Sequence, residues 1–227
     1  MHKLFFSALL TMCFAGAPQS QAQDLAACIV AQKLKGRGEL ARATSLYTTC
    51  IQEGKLLAGS KSIALNNRGN IYMDEGQYNQ AIADFDESVK LDPEYSNAYS
   101  NRGMANQLKG LYNAAVHDYA QALKFEEGNL DAANNLAWIL ATCPISSLRD
   151  GELAVDLASR ANEATSYSDS SRLDTLAAAY AEAGQFQVAI DYQLKALKLA
   201  PEAEQRQQKD RLSNYQQGKA YRDLSGL

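Results

Sequence analysis

The sequence predicts an all-α fold made of tandem repeats, and three observations support this. Residues 62–95 and residues 96–129 align with each other without a gap over 34 positions. A fixed period of about 20 to 50 residues is typical of proteins in which one small unit stacks on the next. The chain has only four prolines and is rich in alanine and leucine, which favours helices. With 46% hydrophobic residues, its 227 residues can bury a core.

The N-terminal segment is typical of a secretory signal peptide. Lys3 supplies a positive charge, residues 4–15 are apolar, and residues 20–22 place small side chains where signal peptidase cleaves. This apolar run is too short to span a bilayer, and no later run is long enough. We therefore expect a mature protein without a membrane span that begins at Gln23 and lies in the periplasm or outside the cell. An N-terminal helix of the mature fold is the alternative.

Small and aromatic side chains recur in phase within the two gapless copies. Counted from the first residue of each copy, positions 8 and 15 are glycine, position 20 is alanine and position 24 is aromatic. The residues are Gly69, Gly76, Ala81 and Phe85, followed by Gly103, Gly110, Ala115 and Tyr119. Small residues let two helices approach closely, the aromatic ring fills the space above them, and glycine frees the turn between them.

These positions resemble the tetratricopeptide repeat (TPR) family, whose unit is a pair of antiparallel helices. The resemblance implies an all-α, right-handed superhelical stack of helix hairpins with a C-terminal capping helix. It covers nearly all of the mature chain. The predicted segments are a signal peptide (1–22), a degenerate first hairpin (23–61), repeats at 62–95, 96–129, 130–169 and 170–203, and a capping helix (204–227). The repeat at 130–169 carries an inserted loop at 142–151, in which Pro144 ends the first helix.

Positions 7 and 23 of the repeat change together. They are Arg68 with Asp84 and Arg102 with Asp118 in the two gapless copies, and uncharged pairs in the other three. Both positions lie nearly the same distance from the turn, so an antiparallel hairpin brings them to similar heights. We predict that each arginine pairs with an aspartate, in its own repeat or the adjoining one. An unpaired, half-buried arginine is costly, so these residues are expected to be structural.

Three cysteines remain after removal of the predicted signal peptide, in an oxidising compartment. Cys28 and Cys50 lie nearly symmetrically about the turn of the first hairpin. We favour a disulfide bond between them, which would tether a terminal repeat that lacks a neighbour on one side. Connectivity does not follow from sequence, and pairing with Cys143 stays open. An unpaired Cys143 would act as a small buried hydrophobe.

The resemblance also implies a ligand surface. In the family, first helices line a concave groove to which positions 2, 5, 6, 9, 12 and 13 contribute. The predicted peptide-binding residues are Asn66, Asn67, Asn70, Met73, Asn97, Asn101, Met104, Asn134, Asn135 and Trp138. Each asparagine amide is both donor and acceptor, so a ladder of them can bond a peptide backbone without requiring one particular side chain. Some family members hold extended peptides in this way.

Other interpretations of these residues stay open. The position-6 asparagines, Asn67, Asn101 and Asn135, could instead bond neighbouring helices or water. Trp138 could belong to the core rather than the groove. Some family members clamp a C-terminal carboxylate with lysine and arginine, but no lysine occupies the predicted groove positions. This argues against carboxylate clamping.

No motif indicates catalysis. The predicted mature chain has one histidine, His117, and lacks a glycine-rich phosphate loop, a serine nucleophile motif and zinc-ligand spacing. A net charge of -4 argues against nucleic-acid binding. We predict a non-enzymatic adaptor or scaffold, without metal or cofactor, whose groove holds a segment of an envelope protein. The alternatives are a structural accessory subunit that binds through its convex face and, more remotely, an enzyme without a recognisable motif.

Overall fold

The computed structural model describes residues 19–53 and 56–223, and every regular element within them is helical. The helices are α1 (Gln19–Lys35), α2 (Leu40–Glu53), α3 (Ala58–Asp74), α4 (Tyr78–Leu91), α5 (Ser96–Leu108), α6 (Tyr112–Phe125), α7 (Leu130–Thr142), α8 (Gly151–Ala164), α9 (Ser170–Glu182), α10 (Phe186–Leu199) and α11 (Glu202–Gln216). One turn of 3-10 helix, Ser146–Leu148, lies between α7 and α8. Of the predicted signal peptide, residues 1–18 lie outside the described residues, and residues 19–22 begin α1.

The chain forms two compact units that divide between Glu94 and Tyr95. In the first unit, α1 pairs with α2 and α3 pairs with α4, and α2 packs against α3. Each helix contributes one apolar stripe to the shared core, as expected for helices with one solvated face. Core side chains include Leu34, Tyr47 and Ile71, all less than 9% exposed.

The second unit contains the hairpins α5–α6, α7–α8 and α9–α10, with α11 packed against α10. Helix α7 contacts α6, α8 and α9, so little of its surface reaches solvent. Its sequence is correspondingly apolar on most sides, and Ala137, Ile139 and Leu140 are all buried. This explains why the segment "LAWIL" lacks the alternation of polar and apolar faces seen in α6.

The turns within the hairpins depend on glycine at position 15. Gly76 and Gly110 have φ values of 73° and 71°, a left-handed conformation that side-chain-bearing residues rarely adopt. The N–H of Gln77 then donates to the carbonyl of Tyr72 at 2.7 Å, and the N–H of Gly76 donates to that of Met73 at 2.9 Å. These two bonds close the end of α3 in the manner of a Schellman motif.

The glycine at position 8 is needed for close helix packing. A Cβ atom at Gly69 would lie 2.6 Å from the Phe85 ring, and one at Gly103 would lie 2.9 Å from the Tyr119 ring. Both rings are fully buried and have no room to move aside. The aromatic residue at position 24 therefore requires the glycine at position 8 in these two hairpins.

The inserted loop joins α7 to α8 and contacts α9. Helix α7 ends at Thr142, and the Asp150 side chain accepts a hydrogen bond from the N–H of Leu153 and caps α8. Arg149 donates to the Cys143 carbonyl at 2.9 Å and to the Glu182 carboxylate at 2.9 Å. The insertion therefore leaves both helices of the repeat in place and adds an ion pair to the end of α9.

The C-terminal helix differs from its predicted range of 204–227. It begins at Glu202 and ends at Gln216, because Gly218 takes a φ of 69° and turns the chain back. The N–H of Lys219 donates to the Asn214 carbonyl at 2.9 Å, which closes the helix end. Residues 219–223 are not helical.

Candidate functional site

The second unit contains an open cavity of about 340 Å³ between α5, α7 and α9. We call its amide-bearing wall the amide groove, formed by Asn97, Asn101, Met104, Asn134 and Asn135. Five of the ten predicted groove residues are thus brought together. Met104 is 43% exposed and adds an adaptable apolar surface beside the amides.

One amide in this groove has an unmet hydrogen-bonding capacity. The side-chain oxygen of Asn134 is buried and accepts no hydrogen bond from the residues that the structure describes. A buried carbonyl oxygen without a donor costs about 1–3 kcal/mol, and a ligand could bond it only after the Asn134 side chain turns into the cavity. Asn134 also lines a second cavity of about 290 Å³, between α7, α9 and α11. The two cavities are therefore contiguous at Asn134 and Asn135, which line both.

Arg172 is a basic residue in the lining of the amide groove. The repeat positions used to predict the groove did not include it. Its guanidinium donates to the Asp131 carboxylate at 2.8 Å and to the Ala161 carbonyl at 3.3 Å. The Arg172 side chain is 16% exposed and that of Asp131 is 79% exposed. The positive charge is thus held in the wall with its counter-ion at the surface. Asp169 also lines the cavity, so the lining carries two acidic side chains and one basic side chain.

The first unit places its predicted groove residues differently. Asn67 lines a small cavity of about 120 Å³ with Cys28 and Tyr47. Asn66 is only 4% exposed and offers almost no surface to a ligand. Asn70 and Met73 are half-buried and do not line that cavity. Of the predicted residues in this unit, Asn67 is the one that lines the 120 Å³ cavity.

Two of the three position-6 asparagines interact with a buried tyrosine. Burial raises the pKa of Tyr119, and the neighbouring Asn135 amide opposes that rise. Burial likewise raises the pKa of Tyr47, opposed by Asn67. Each tyrosine occupies position 24 of the preceding copy, so these two asparagines act in helix packing as well. The copy before Asn101 carries Phe85 at position 24, which has no hydroxyl group.

The two arginines at position 7 each pair with the aspartate of their own hairpin. Arg68 donates two hydrogen bonds to Asp84, both at 2.7 Å. Arg102 donates to Asp118 at 3.0 and 2.6 Å, and the Asp118 carboxylate also accepts from the Asn106 amide. Both aspartates are less than 9% exposed. Their geometry is that of bidentate pairs within the helix layer, away from the cavities described above.

The cysteines of the first hairpin lie together. Cys28 on α1 and Cys50 on α2 are adjacent, with their Cα atoms 5.9 Å apart, within the range of disulfide-bonded residues. Cys143 lies in the second unit, where it is 1% exposed. Burial raises the pKa of the Cys143 thiol, which disfavours the reactive thiolate.

Trp138 lies on α7 and lines the 290 Å³ cavity, not the amide groove. It packs against the core of the second unit, yet its indole N–H donates to the Asp223 carboxylate at 2.9 Å. The Tyr221 ring and the Arg211 guanidinium also lie against it. The sequence provided no signal for these three partners, because all of them lie outside the repeats. Arg211 reaches Trp138 from α11, and Tyr221 and Asp223 reach it through the turn at Gly218.

Asp174 is the most deeply buried acid of this region. It accepts hydrogen bonds from Gln193 at 2.7 Å and from Arg211 at 2.9 Å, and it faces the 290 Å³ cavity. Burial raises the pKa of Asp174, and Arg211 opposes the rise. The arginine is itself only 7% exposed, so this pair anchors α11 to α9.

The described helices include none that is long and apolar enough to cross a membrane. Within residues 19–53 and 56–223, no group of histidine, cysteine and acidic side chains is arranged to hold a metal ion. His117 is exposed on α6, with 67% of its side chain accessible, and lines none of the cavities described above.

Comparisons with known proteins agree with this architecture. A TPR repeat family profile matches residues 69–110, and a tetratricopeptide repeat profile matches residues 96–129 and 173–202. A search of curated proteins gives no significant match. The hairpin that carries the inserted loop lies between the matched segments, as expected if the insertion breaks the 34-residue spacing.

Solved structures share the fold at low sequence identity. The MamA protein is 21% identical with a TM-score of 0.60, over 81% of this chain and 94% of that chain. The protein YrrB is 17% identical with a TM-score of 0.60, over 81% and 90%. A thermophilic TPR protein of Thermus thermophilus is 16% identical with a TM-score of 0.58, over 86% and 99%. The repeat matches identify tetratricopeptide repeats within residues 69–129 and 173–202, and the solved structures show that the chain shares the fold of TPR proteins.

Proposed function

We propose that this protein is a periplasmic or secreted adaptor whose amide groove holds an extended segment of a protein partner in the cell envelope. The observation that carries the proposal is the amide groove itself, an open cavity whose wall brings four asparagine amides together with Met104. A peptide backbone supplies both donors and acceptors at regular spacing, which is what such a wall can satisfy. TPR proteins are interaction modules, and the similar fold YrrB is described as having an unusual peptide-binding site.

The small net charge of the groove lining, with two acidic side chains and one basic side chain, limits the partner's chemistry. Arg172 is the cation of the groove wall and already has Asp131 as its counter-ion. Recognition through main-chain groups and through the apolar surface of Met104 therefore fits better than recognition of a strongly charged segment. The export part of the proposal rests on the signal peptide that the sequence predicts at residues 1–22.

The groove is tested by crosslinking capture from a periplasmic extract. The mature chain is compared with an Asn101→Ala/Asn134→Ala variant and with Asn113→Ala, which changes an exposed asparagine on α6 outside the cavity. Both variants must first show the circular dichroism and melting temperature of the native chain. Capture of one partner by the native chain and by Asn113→Ala, but not by the double variant, supports the proposal.

Equal capture by all three chains would contradict groove binding and would indicate an accessory subunit that binds through another face. The location is tested separately by expressing the full chain, fractionating the cells and sequencing the N-terminus of the purified protein. The proposal requires a product in the periplasm or medium that begins at Gln23. A cytoplasmic product that keeps Met1 would refute the assigned location.

A further inference from the structure

The segment after α11 lies along α7 and the end of α9. Gly218 reverses the chain, and residues 219–223 run without helical structure. The main-chain N–H of Asp223 donates to the carbonyl of Thr142 at 2.9 Å, and its carboxylate accepts from the Trp138 indole at 2.9 Å. One residue of the segment is thus held through both its backbone and its side chain.

The preceding residue is held by charge. The Arg222 guanidinium lies 2.7 Å from the Glu182 carboxylate, whose other oxygen accepts from Arg149 of the inserted loop at 2.9 Å. Glu182 is 15% exposed, so its interaction with Arg222 is only partly screened by water. Arg149 is already engaged by backbone carbonyls, and it holds the carboxylate in place for a second cation.

The third residue is held through its ring. The centroid of Tyr221 lies 6.1 Å from that of Trp138, and the Arg211 guanidinium is 5.4 Å from the Tyr221 ring and 5.5 Å from the Trp138 ring. Arg211 is fixed by its bonds to buried Asp174. The arginine therefore offers a preorganised cationic surface to the aromatic ring of the segment.

These contacts fall on the ligand-facing positions of the repeat. Trp138 is at position 9 of its copy, and Thr142 and Glu182 are at position 13 of theirs. The cavity lined by Trp138 and Arg211 is also contiguous with the amide groove through Asn134 and Asn135. The segment is bound as an extended peptide would be, by one main-chain bond, one ion pair and one aromatic contact over three consecutive residues.

We propose that Trp138, Thr142, Glu182 and Arg211 form a binding site for an extended segment with the sequence character aromatic-arginine-aspartate, and that Tyr221-Arg222-Asp223 occupies it in the free protein as an internal ligand. The inference rests on the proposed peptide-binding function and specifies its chemistry. A partner segment of this type, entering from the amide groove, must displace the chain's own C-terminal segment. Because the tethered segment is present at a high effective concentration, it sets a threshold for the partner's affinity.

Trp138 makes the test direct, because it is the single tryptophan of the sequence. The probe is a synthetic peptide of residues 218–227, GKAYRDLSGL, titrated into the mature chain while tryptophan fluorescence is recorded. Three chains are compared: native, Tyr221→Ala/Asp223→Asn, and the control Lys219→Ala. Lys219 lies in the same segment, and its side chain donates to the Gln217 side chain at 3.2 Å.

The Tyr221→Ala/Asp223→Asn chain should bind the peptide roughly tenfold or more tightly than the native and Lys219→Ala chains do, because its own segment competes less well. A peptide that carries the same two substitutions should bind that chain roughly tenfold or more weakly, since it lacks the ring and the charged acceptor. Equal binding to all three chains, or no binding to any of them with melting unchanged, would overturn the proposal and leave the segment as a fixed cap.

A second measurement uses only the native chain, so it tests the site even if the Tyr221→Ala/Asp223→Asn variant does not fold. The native chain is mixed with excess peptide that carries a photoreactive group in place of Leu224, and the crosslinked residues are mapped by mass spectrometry. Crosslinks to α7 or α9 near Trp138 support the site, and crosslinks only elsewhere refute it. Sedimentation of the native chain adds a further check, because dimers that dissociate on Tyr221→Ala/Asp223→Asn substitution would show exchange between copies and refute internal occupancy.

The two proposals fail in different ways. If Asn101→Ala/Asn134→Ala leaves partner capture intact, groove binding fails whatever the peptide does. If capture depends on those asparagines while the peptide does not bind the Tyr221→Ala/Asp223→Asn chain, only the internal-ligand proposal fails.

Discussion

The Arg68 guanidinium and the Asp84 carboxylate are joined by two hydrogen bonds of 2.7 Å across the hairpin of α3 and α4. Their side chains are 14% and 8% exposed. At the same two positions, the hairpin of α7 and α8 carries Leu136 and Leu157, both buried. The same hairpin fold therefore accepts either a bidentate ion pair or two leucines between its helices. The contribution of the Arg68–Asp84 ion pair to the free energy of unfolding can thus be measured by replacing it with leucines.

We expect Asp84→Leu alone to lower the free energy of unfolding by about 3–5 kcal/mol, because it leaves a half-buried arginine without its counter-ion. The double variant Arg68→Leu/Asp84→Leu should recover most of that loss, since it reproduces the apolar pair that α7 and α8 already contain. Chemical denaturation of the native chain, the two single variants and the double variant gives the coupling energy. A double variant less stable than Asp84→Leu would show that the hairpin depends on the charges themselves.

A disulfide bond between Cys28 and Cys50 should stabilise the first hairpin by a measurable amount. The two residues are 22 apart in sequence, and a cross-link closing a loop of this length stabilises by about 3 kcal/mol in the chain-entropy estimate. In the oxidised mature protein, alkylation and peptide mapping should find one free thiol, at Cys143, and a linked Cys28–Cys50 peptide. Cys28→Ser and Cys28→Ser/Cys50→Ser should then be equally destabilised, because either change breaks the bond. Three alkylated cysteines in the oxidised protein would contradict the pairing.

Gly151, the first residue of α8, packs so closely against the end of α9 that no side chain fits there. A Cβ atom there would lie 2.6 Å from the backbone nitrogen of Ala183 and 2.8 Å from the carbonyl carbon of Glu182. Gly151→Ala should therefore lower the free energy of unfolding by about 1–3 kcal/mol, because the backbone of α9 must move. Gly128→Ala is the matched control, since a Cβ atom at Gly128 meets no atom within 4 Å. Equal stability of the two variants in thermal denaturation would refute the contact.

Because of Tyr119, we expect the folded protein to lose stability at alkaline pH. Burial raises the pKa of Tyr119 above the ordinary value of about 10. Above that pH the unfolded chain releases the phenolic proton while the folded chain retains it, so the free energy of unfolding falls by up to about 1.4 kcal/mol per pH unit from this residue. Tyr119→Phe removes this dependence, and the equivalent residue Phe85 shows that a phenyl ring fits the position.

At neutral pH, Tyr119→Phe should cost about 1 kcal/mol, because the hydroxyl donates to Gln107 at 3.0 Å. The deficit should shrink and then reverse as the pH rises from about 9 to about 11. Urea denaturation at each pH measures it. Parallel stability curves for the native chain and the variant would exclude a raised pKa for Tyr119.

Much of the fold could be predicted from spacing alone. The glycine at position 8 and the aromatic ring at position 24 occur in phase because they meet across each hairpin, as Gly103 and Tyr119 do. The all-α fold and the presence of TPR repeats are therefore confirmed. The paired change of positions 7 and 23 pointed to Arg68 and Asp84 for a similar reason, since a contact between two helices constrains both residues.

The site could be predicted only in part. Repeat positions indicate which face of a helix a side chain occupies, but not how deeply neighbouring helices cover it, so Asn66 and Asn134 look alike in sequence although Asn66 is covered and Asn134 lines two cavities. Arg172 was missed because its position in the repeat is not among those that usually face a ligand. Its long side chain reaches the groove by pairing with Asp131.

The helix hairpins of this protein follow from its amino-acid sequence, because periodic small, aromatic and charged residues act over one repeat and need no distant partner. The position of the C-terminal segment depends instead on how the helices pack. Trp138 and Asp223 are 85 positions apart, and no periodicity relates them. Their contact depends on the left-handed turn at Gly218, on Arg211 being held by Asp174, and on Glu182 being oriented by Arg149. The turn is local, but the other two are single contacts between different helices or loops, and such contacts arise only when the helices have packed.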